Sequence, residues 1–230
     1  MKEHIAAEIT KTKGRKSLYH FTRVQNLQAM AHFDALFSSN AINPGHAGER
    51  RLQATVVDYQ QYAMTINSHL RIADSMIDAG TTQEQFRACL DGHVFFWPTL
   101  RECLKMLDTY TRREPEGKFA VLEFEAYPLI AGHYSAVKLS KYDSGSSPRF
   151  PVHCSYRKSP AMFLPLSQFK SVTNHLVPVK TSEIKEILFE DRVMDVSEFL
   201  KAVYADYREN MPERWRALVK PLMMLHEDKR

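Results

Sequence analysis

The chain has 230 residues, enough for one large domain or two small ones and for a sizeable buried core. Hydrophobic residues make up 44% and charged residues 25%, with eight glycines, which excludes collagenous, low-complexity and disordered classes. Lysine and arginine total 31 against 27 acids, and the resulting net charge of +4 permits a polyanionic partner without demonstrating one.

No stretch approaches about 18 uninterrupted apolar residues, so no membrane span is expected. The opening "MKEHIAAEITKTKGRK" carries mixed charge and no apolar segment, unlike a signal peptide. Cys89, Cys103 and Cys154 are scattered, as in a reduced, cytoplasmic protein. A single domain over residues 1–230 is expected, with 1–16 as a basic N-terminal arm and 211–230 as a C-terminal helix.

"SLYHFT", residues 17–22, reads as a strand, and "VQNLQAMAHFDAL" after it as an amphipathic helix with Val24, Leu27, Ala31 and Leu36 at helical spacing. Asn43-Pro44-Gly45 marks a loop, and a polar helical region runs from about Glu49 to Leu90. "HVFFWP", residues 93–98, is a buried strand stopped by Pro98. Thr99 and Glu102 then begin a capping box for a helix with Leu100, Cys103, Leu104 and Leu107 on one face. "KFAVLEFEAY", "SAVKLSKY", "AMFLPL" and "EIKEILFEDRV" are short β-rich runs, with Glu123 and Glu125 read as surface. Asp195 offers a cap for a helix over "SEFLKAVYADYREN", and Pro212 opens a last helix with Trp215, Leu218, Val219 and Leu222. Strands separated by helices in this order predict an α+β fold: a mixed sheet with a cleft, not a repeating parallel sheet.

The chain lacks a glycine-rich phosphate loop, GxGxxG, CxxC, HExxH and GxSxG, and its ten histidines stand singly. P-loop, Rossmann, metal-site and hydrolase-elbow chemistries are therefore not expected. What remains is polar residues at strand ends. Alternation through "EIKEILF" puts Ile184, Glu186 and Leu188 on one face and Lys185, Ile187 and Phe189 on the other. Glu186 is then either an edge-strand carboxylate, in water or paired with an arginine, or a carboxylate held in a cleft of low dielectric. His20 is either a satisfied structural residue or a ligand group. Ser144, Ser146 and Ser147 ordinarily make a turn.

Taken in order, these segments resemble a known family. "LYHFT-x-x-x-NL" followed by a helix and "LFSS" is similar to the opening of the DarT-like ADP-ribosyltransferase toxins. "VFFWPTLRECLKML" is similar to their aromatic strand, proline and helix, "AVKLSKYDSGSSP" to their Ser/Thr-Asp loop, and "EIKEILFEDRVMDV" to the closing strand with the catalytic glutamate. The likeness covers most of residues 17–200. It departs at Trp97-Pro98-Thr99-Leu100 and at Glu183-Ile184-Lys185, where the family pattern reads differently.

The resemblance implies a split mixed sheet with a central NAD cleft flanked by helices. Main-chain groups at His20 and Phe21 would hold the nicotinamide amide, Thr22 and Asn26 would bond ribose or phosphate, and Trp97 would line the pocket. Glu186 would be the catalytic carboxylate, stabilising positive charge at the anomeric carbon as the nicotinamide bond breaks. Arg51, with Arg50 as the alternative, would bind pyrophosphate or orient the acceptor. The implied activity is transfer of ADP-ribose to an RNA or DNA base in a toxin–antitoxin or anti-phage system, with an antitoxin partner, with or without a chaperone, and no metal. The rivals are transfer to a protein side chain, and an inactive member of the fold that binds nucleotide or a partner.

Overall fold

The computed structural model describes residues 2–206 and 211–227. In chain order its elements are α1 (Lys2–Ile9), β1 (Ser17–Arg23), α2 (Leu27–Phe33), β2 (Ala35–Phe37), α3 (Ser39–Ile42), β3 (Thr55–Tyr59) and β4 (Tyr62–Ile66). Then come α4 (Gln83–Asp91), β5 (His93–Phe96), α5 (Leu100–Arg113), β6 (Phe119–Glu125), α6 (Ala126–Gly132), β7 (Val137–Ser140) and β8 (Phe163–Pro165). The last are β9 (Glu186–Glu190), β10 (Arg192–Met194), α7 (Val196–Phe199), β11 (Leu200–Tyr204), β12 (Val219–Lys220) and α8 (Met224–Glu227).

The fold is α+β. Among the described residues two four-stranded sheets form, ordered β1-β6-β11-β12 and β5-β9-β7-β8, with two ribbons, β3-β4 and β10-β2. The first sheet is mixed, because β12 joins β11 in parallel while its other pairs are antiparallel. A single antiparallel bridge between Tyr19 and Trp97 ties β1 to the end of β5. Alternation along β1 explains how one strand serves two cores. Leu18 packs with Phe96, Phe124, Phe189 and the helices α1, α2 and α6, whereas Phe21 meets Cys103, Leu104, Leu107 and Tyr110 of α5. A third cluster seats Phe86 and Leu90 of α4 against Phe163 and Leu188.

Several expectations fail for identifiable reasons. Residues 2–9 are no arm: "KEHIAAEI" is a helix, and Ala6 and Ile9 are 0% and 1% exposed because they fall on one helical stripe. The expected helical region from Glu49 to Leu90 holds the β3–β4 hairpin, and only Gln83–Asp91 is α-helical. That hairpin turns on Gln60 and Gln61, both at positive φ, rather than on the Asn-Gly that usually signals such a turn. The helix expected over 197–210 is helical only to Phe199. Leu200–Tyr204 is a strand between β6 and β12, and residues 207–210 lie outside the described residues. Asp195 sits in the left-handed region and makes no side-chain cap. The final helix is instead a 3-10 segment, Glu213–Leu218, followed by β12 and the short α8; residues 228–230 lie outside the described residues. Thr99, by contrast, does cap α5, accepting from the Glu102 N–H at 3.4 Å.

Glu123 is not a free surface residue. It accepts from Ser17 Oγ at 2.6 Å, Lys201 Nζ at 3.0 Å and the Tyr204 hydroxyl at 2.9 Å. Partial burial pushes its carboxyl up, but these bonds outweigh that and hold it below the ordinary value.

Candidate functional site: a cleft where two sheets part

Tyr19 donates its N–H to the Trp97 carbonyl at 3.0 Å and accepts from the Trp97 N–H at 2.9 Å. No further pairing joins the two strands among the described residues, so β1 and β5 part beyond this bridge. Because main-chain groups alternate sides along a strand, the Phe21 N–H and C=O turn to the same side as those of Tyr19, away from β6. The gap opens into a cleft of about 200 Å³ walled by β1, β4, the 67–70 segment, the end of α4, β5 and the start of β9. His20, Phe21, Thr22, Asn26, Arg51, Trp97 and Glu186 all line it.

Glu186 opens β9, the strand between β5 and β7, opposite Ser140. It is 2% exposed. The expected alternation holds from this residue onward: Leu188 packs with α4, and Ile187 and Phe189 with the main core. It fails before it, because Ile184 and Lys185 precede the strand and Ile184 packs with Ile187 and Phe189. The carboxylate accepts from the Ser144 hydroxyl at 2.6 Å and from the Ser144 N–H at 3.2 and 3.3 Å. Burial pushes the carboxyl well above its ordinary value, and Asp143 adds to the push; the Ser144 bonds and Lys158 oppose it. Glu186 and Trp97 also line a second cavity of about 310 Å³, shared with Lys105, Lys141, Tyr142, Asp143, Lys185 and Glu102. The glutamate therefore stands in the wall between two spaces.

Arg51 enters the first cleft as part of a fixed cluster. Its guanidinium bonds both Asp91 oxygens at 2.5 and 3.1 Å and the Asn67 carbonyl at 3.2 Å, and lies 3.0 Å from His69 Nε2. Burial raises the Asp91 carboxyl, but His69 and Arg51 overcome it and take it down to about 2. Arg50 lines a separate cavity with Arg71 and Arg87, so of the two arginines Arg51 is the one in the cleft.

The other expected residues divide by what their side chains already do. Asn26 donates to the Thr65 carbonyl at 2.9 Å and accepts from the Thr65 N–H at 2.7 Å. Its carboxamide thus pins β4 to the strand–helix junction. The side chain of Phe21 stacks on Tyr110 with centroids 5.2 Å apart. Thr22 is buried and near Met30 Sδ at 3.9 Å. His20 Nδ1 lies 2.9 Å from the Phe95 carbonyl, which only accepts, so this nitrogen carries the proton and Nε2 the lone pair. Burial takes the ring down to about 4, with the Phe95 bond opposing, so it is neutral at pH 7.

Sequence reasoning missed Asp91, His69, His93, Ser144 and Lys158. His93 is 7% exposed, its Nδ1 lies 2.6 Å from the Cys89 carbonyl, and its Nε2 is buried with no partner among the described residues. Asp91, His69, Ser144 and Lys158 acquire their neighbours from distant segments, and His93, though bonded to the nearby Cys89 carbonyl, carries no spacing signal. Among the described residues no group of three or more histidines, cysteines and acids is placed to hold a metal ion. No helix among them is long and apolar enough to cross a membrane.

No curated protein matches the chain. A family model described as "Family of unknown function (DUF7002)" matches residues 16–200, a span that begins just before β1 and contains every cleft residue named above. The chain belongs to the DUF7002 family.

Proposed function

We propose that this protein is an NAD-dependent ADP-ribosyltransferase whose acceptor is a nucleic-acid base. The observation that carries the reading is the convergence of His20, Arg51, Trp97 and Glu186, from four separate segments, on one cleft where two sheets part from a single bridge. That parting of a mixed sheet is what an ADP-ribosyltransferase-like split sheet requires.

The donor set suits the nicotinamide–ribose half of NAD. The main-chain groups of Phe21, which turn away from β6, match a primary amide, and the His93 Nε2 lone pair offers an acceptor for a hydroxyl or amine. Glu186 would hold the ribose hydroxyls and stabilise positive charge developing at the sugar carbon; preorganised groups of this kind are worth about a hundredfold to a thousandfold in rate. Arg51, fixed by Asp91, would set positive charge where the cleft receives the pyrophosphate. A cleft of about 200 Å³ has room for the nicotinamide nucleoside portion, so the adenosine would lie along its mouth. Asn26 and Thr22 would shape the floor rather than bond the ligand.

The second cavity supports a nucleic-acid acceptor. Lys105, Lys141 and Lys185 line it beside Tyr142, with Lys105 and Lys185 paired to Glu102 and Lys141 to Glu183; these lysines and the tyrosine ring would meet a phosphodiester and an unstacked base, and Glu186 is reached from it. A self-toxic activity of this kind calls for an antitoxin, with or without a chaperone, and for action in the cytoplasm.

The test is incubation with NAD labelled in the adenylate, together with RNA, single-stranded DNA and protein, followed by separation of the fractions. Label in nucleic acid, reduced about a hundredfold or more by Glu186→Gln, is the expected result. Label confined to protein moves the acceptor class, and absence of NAD consumption overturns the transferase reading.

A further inference from the structure

Lys158 is 0% exposed, and its ammonium forms no ion pair among the described residues. It donates instead to two main-chain carbonyls, that of Asp143 and, at 3.0 Å, that of Ser144. Its own backbone is clamped, donating to the Met76 carbonyl at 2.6 Å and accepting from the Asp78 N–H at 3.0 Å. The carbonyl of Asp143 and the N–H of Ser144 belong to one peptide group. Lys158 bonds the oxygen end of that group, and Glu186 accepts from its N–H end. A buried cation, a peptide dipole and a buried carboxyl thus stand in series, an arrangement in which each bond polarises the next. For filling space alone, methionine would avoid the desolvation that a buried ammonium suffers.

We propose that Lys158 is a positioning residue for Glu186: its ammonium holds the Asp143–Ser144 peptide in the conformation that grips the glutamate and, through that peptide, favours the glutamate's ionised form. The two titrations are then reciprocally linked, since whatever each charge does for the other must be equal in both directions. The other ionisable groups facing the pair on its own side are Tyr142 and Asp143 of the loop, and Cys154 and Tyr156 of the segment leading to Lys158. Lys105, Lys141, Lys185 and Glu102 line the second cavity with Glu186, and His20, Arg51, His69, Asp91 and His93 line the first with it. Asp143 opposes ionisation of Glu186, and Lys158 favours it.

The experiment is a pair of NMR titrations on the whole chain. Carboxyl-labelled glutamate reports Glu186, assigned by its loss in Glu186→Gln, and labelled lysine Nζ reports Lys158. Lys158→Met should raise the Glu186 midpoint by about one pH unit or more. Lys158→Arg, which keeps the charge, should leave it closer to wild type. In the reverse direction Glu186→Gln should lower the Lys158 midpoint, a measurement that decides the matter alone if Lys158→Met does not fold. An unmoved Glu186 midpoint in folded Lys158→Met, or an unmoved Lys158 midpoint in Glu186→Gln, overturns the linkage. The consequence for turnover rests on the proposed role of Glu186: the rise of NAD consumption with pH should shift upward in Lys158→Met by the same interval. Wild type that consumes no NAD sinks that role while the titrations still decide the linkage.

Discussion

Arg51 and Arg50 are adjacent in sequence and serve different cavities, and the difference lies in what each touches. Arg51 is gripped by Asp91, His69 and Asn67, and Asp91 is 3% exposed, so the cluster is a buried ion pair completed by hydrogen bonds. Such a pair is not by itself strong support for a fold, but removing one partner leaves an uncompensated buried charge. Asp91→Asn should therefore lower stability by about 3 kcal/mol, read as a shift in the denaturation midpoint. On the proposed function, Asp91→Asn should also weaken NAD binding beyond that loss by freeing the guanidinium. A melting temperature equal to wild type would mean that water already satisfies Arg51. The sequence offered no sign of this cluster, because Arg51, His69 and Asp91 come from a loop, a second loop and a helix end, and share no spacing rule. Glu186 was visible, since a carboxylate flanked by aliphatics in a β-rich run is a local anomaly.

At the scale of elements, α1 gives the sharpest contrast between charge and pattern. Read by charge, residues 1–16 look like a basic arm; read by spacing, Ile5, Ala6 and Ile9 form a stripe that packs against α6 and the segment after β8. Ile9 is 1% exposed. Ile9→Ala should cost about 2–5 kcal/mol, the range for truncating a buried aliphatic, where an arm in solvent would show no change. β11 shows the opposite failure. Phe199, Ala202 and Val203 fit a helical stripe, yet Val203 faces one core while Ala202 and Tyr204 face another, the alternation of a buried strand, and a register shift between Leu200 and Ala202 brings Leu200 to the Val203 side. Short apolar runs satisfy both periods, and the presence of β6 and β12 on either side decides between them. The β3–β4 hairpin was hidden for a different reason, since a Gln-Gln turn carries no glycine or asparagine signal.

For the whole molecule, the decisive feature is how little joins the two sheets where the cleft opens. Beside the Tyr19–Trp97 bridge, His20 of β1 reaches the Phe95 carbonyl of β5, so its neutral ring is both cleft wall and tie. Its pKa falls from 6.5 to about 4 on folding because burial disfavours the charged ring. The unfolded chain therefore binds more protons across that interval, and stability is lost as pH drops from 6.5 towards 4. The loss due to this residue is at most about 3 kcal/mol. His20→Gln, which keeps a donor for Phe95 and cannot charge, should flatten that part of the stability–pH curve, measured by denaturant midpoints in overlapping buffers. A curve equally steep in the variant would assign the acid sensitivity to other groups.

By itself the sequence determined the α+β class, the first strand, the aromatic strand with its capped helix, and the anomaly of Glu186. Each of these rests on a local rule: period two, a threonine accepting from an N–H three residues on, or a charge among aliphatics. The tertiary structure alone decided that residues 200–204 are a strand, that Arg51 rather than Arg50 faces the cleft, and that Asn26 braces β4. It alone also brought Lys158 to the peptide that grips Glu186. Those outcomes depend on contacts between segments far apart in the chain, and no spacing rule within one segment encodes which distant neighbour will supply a donor, an acceptor or a second sheet edge.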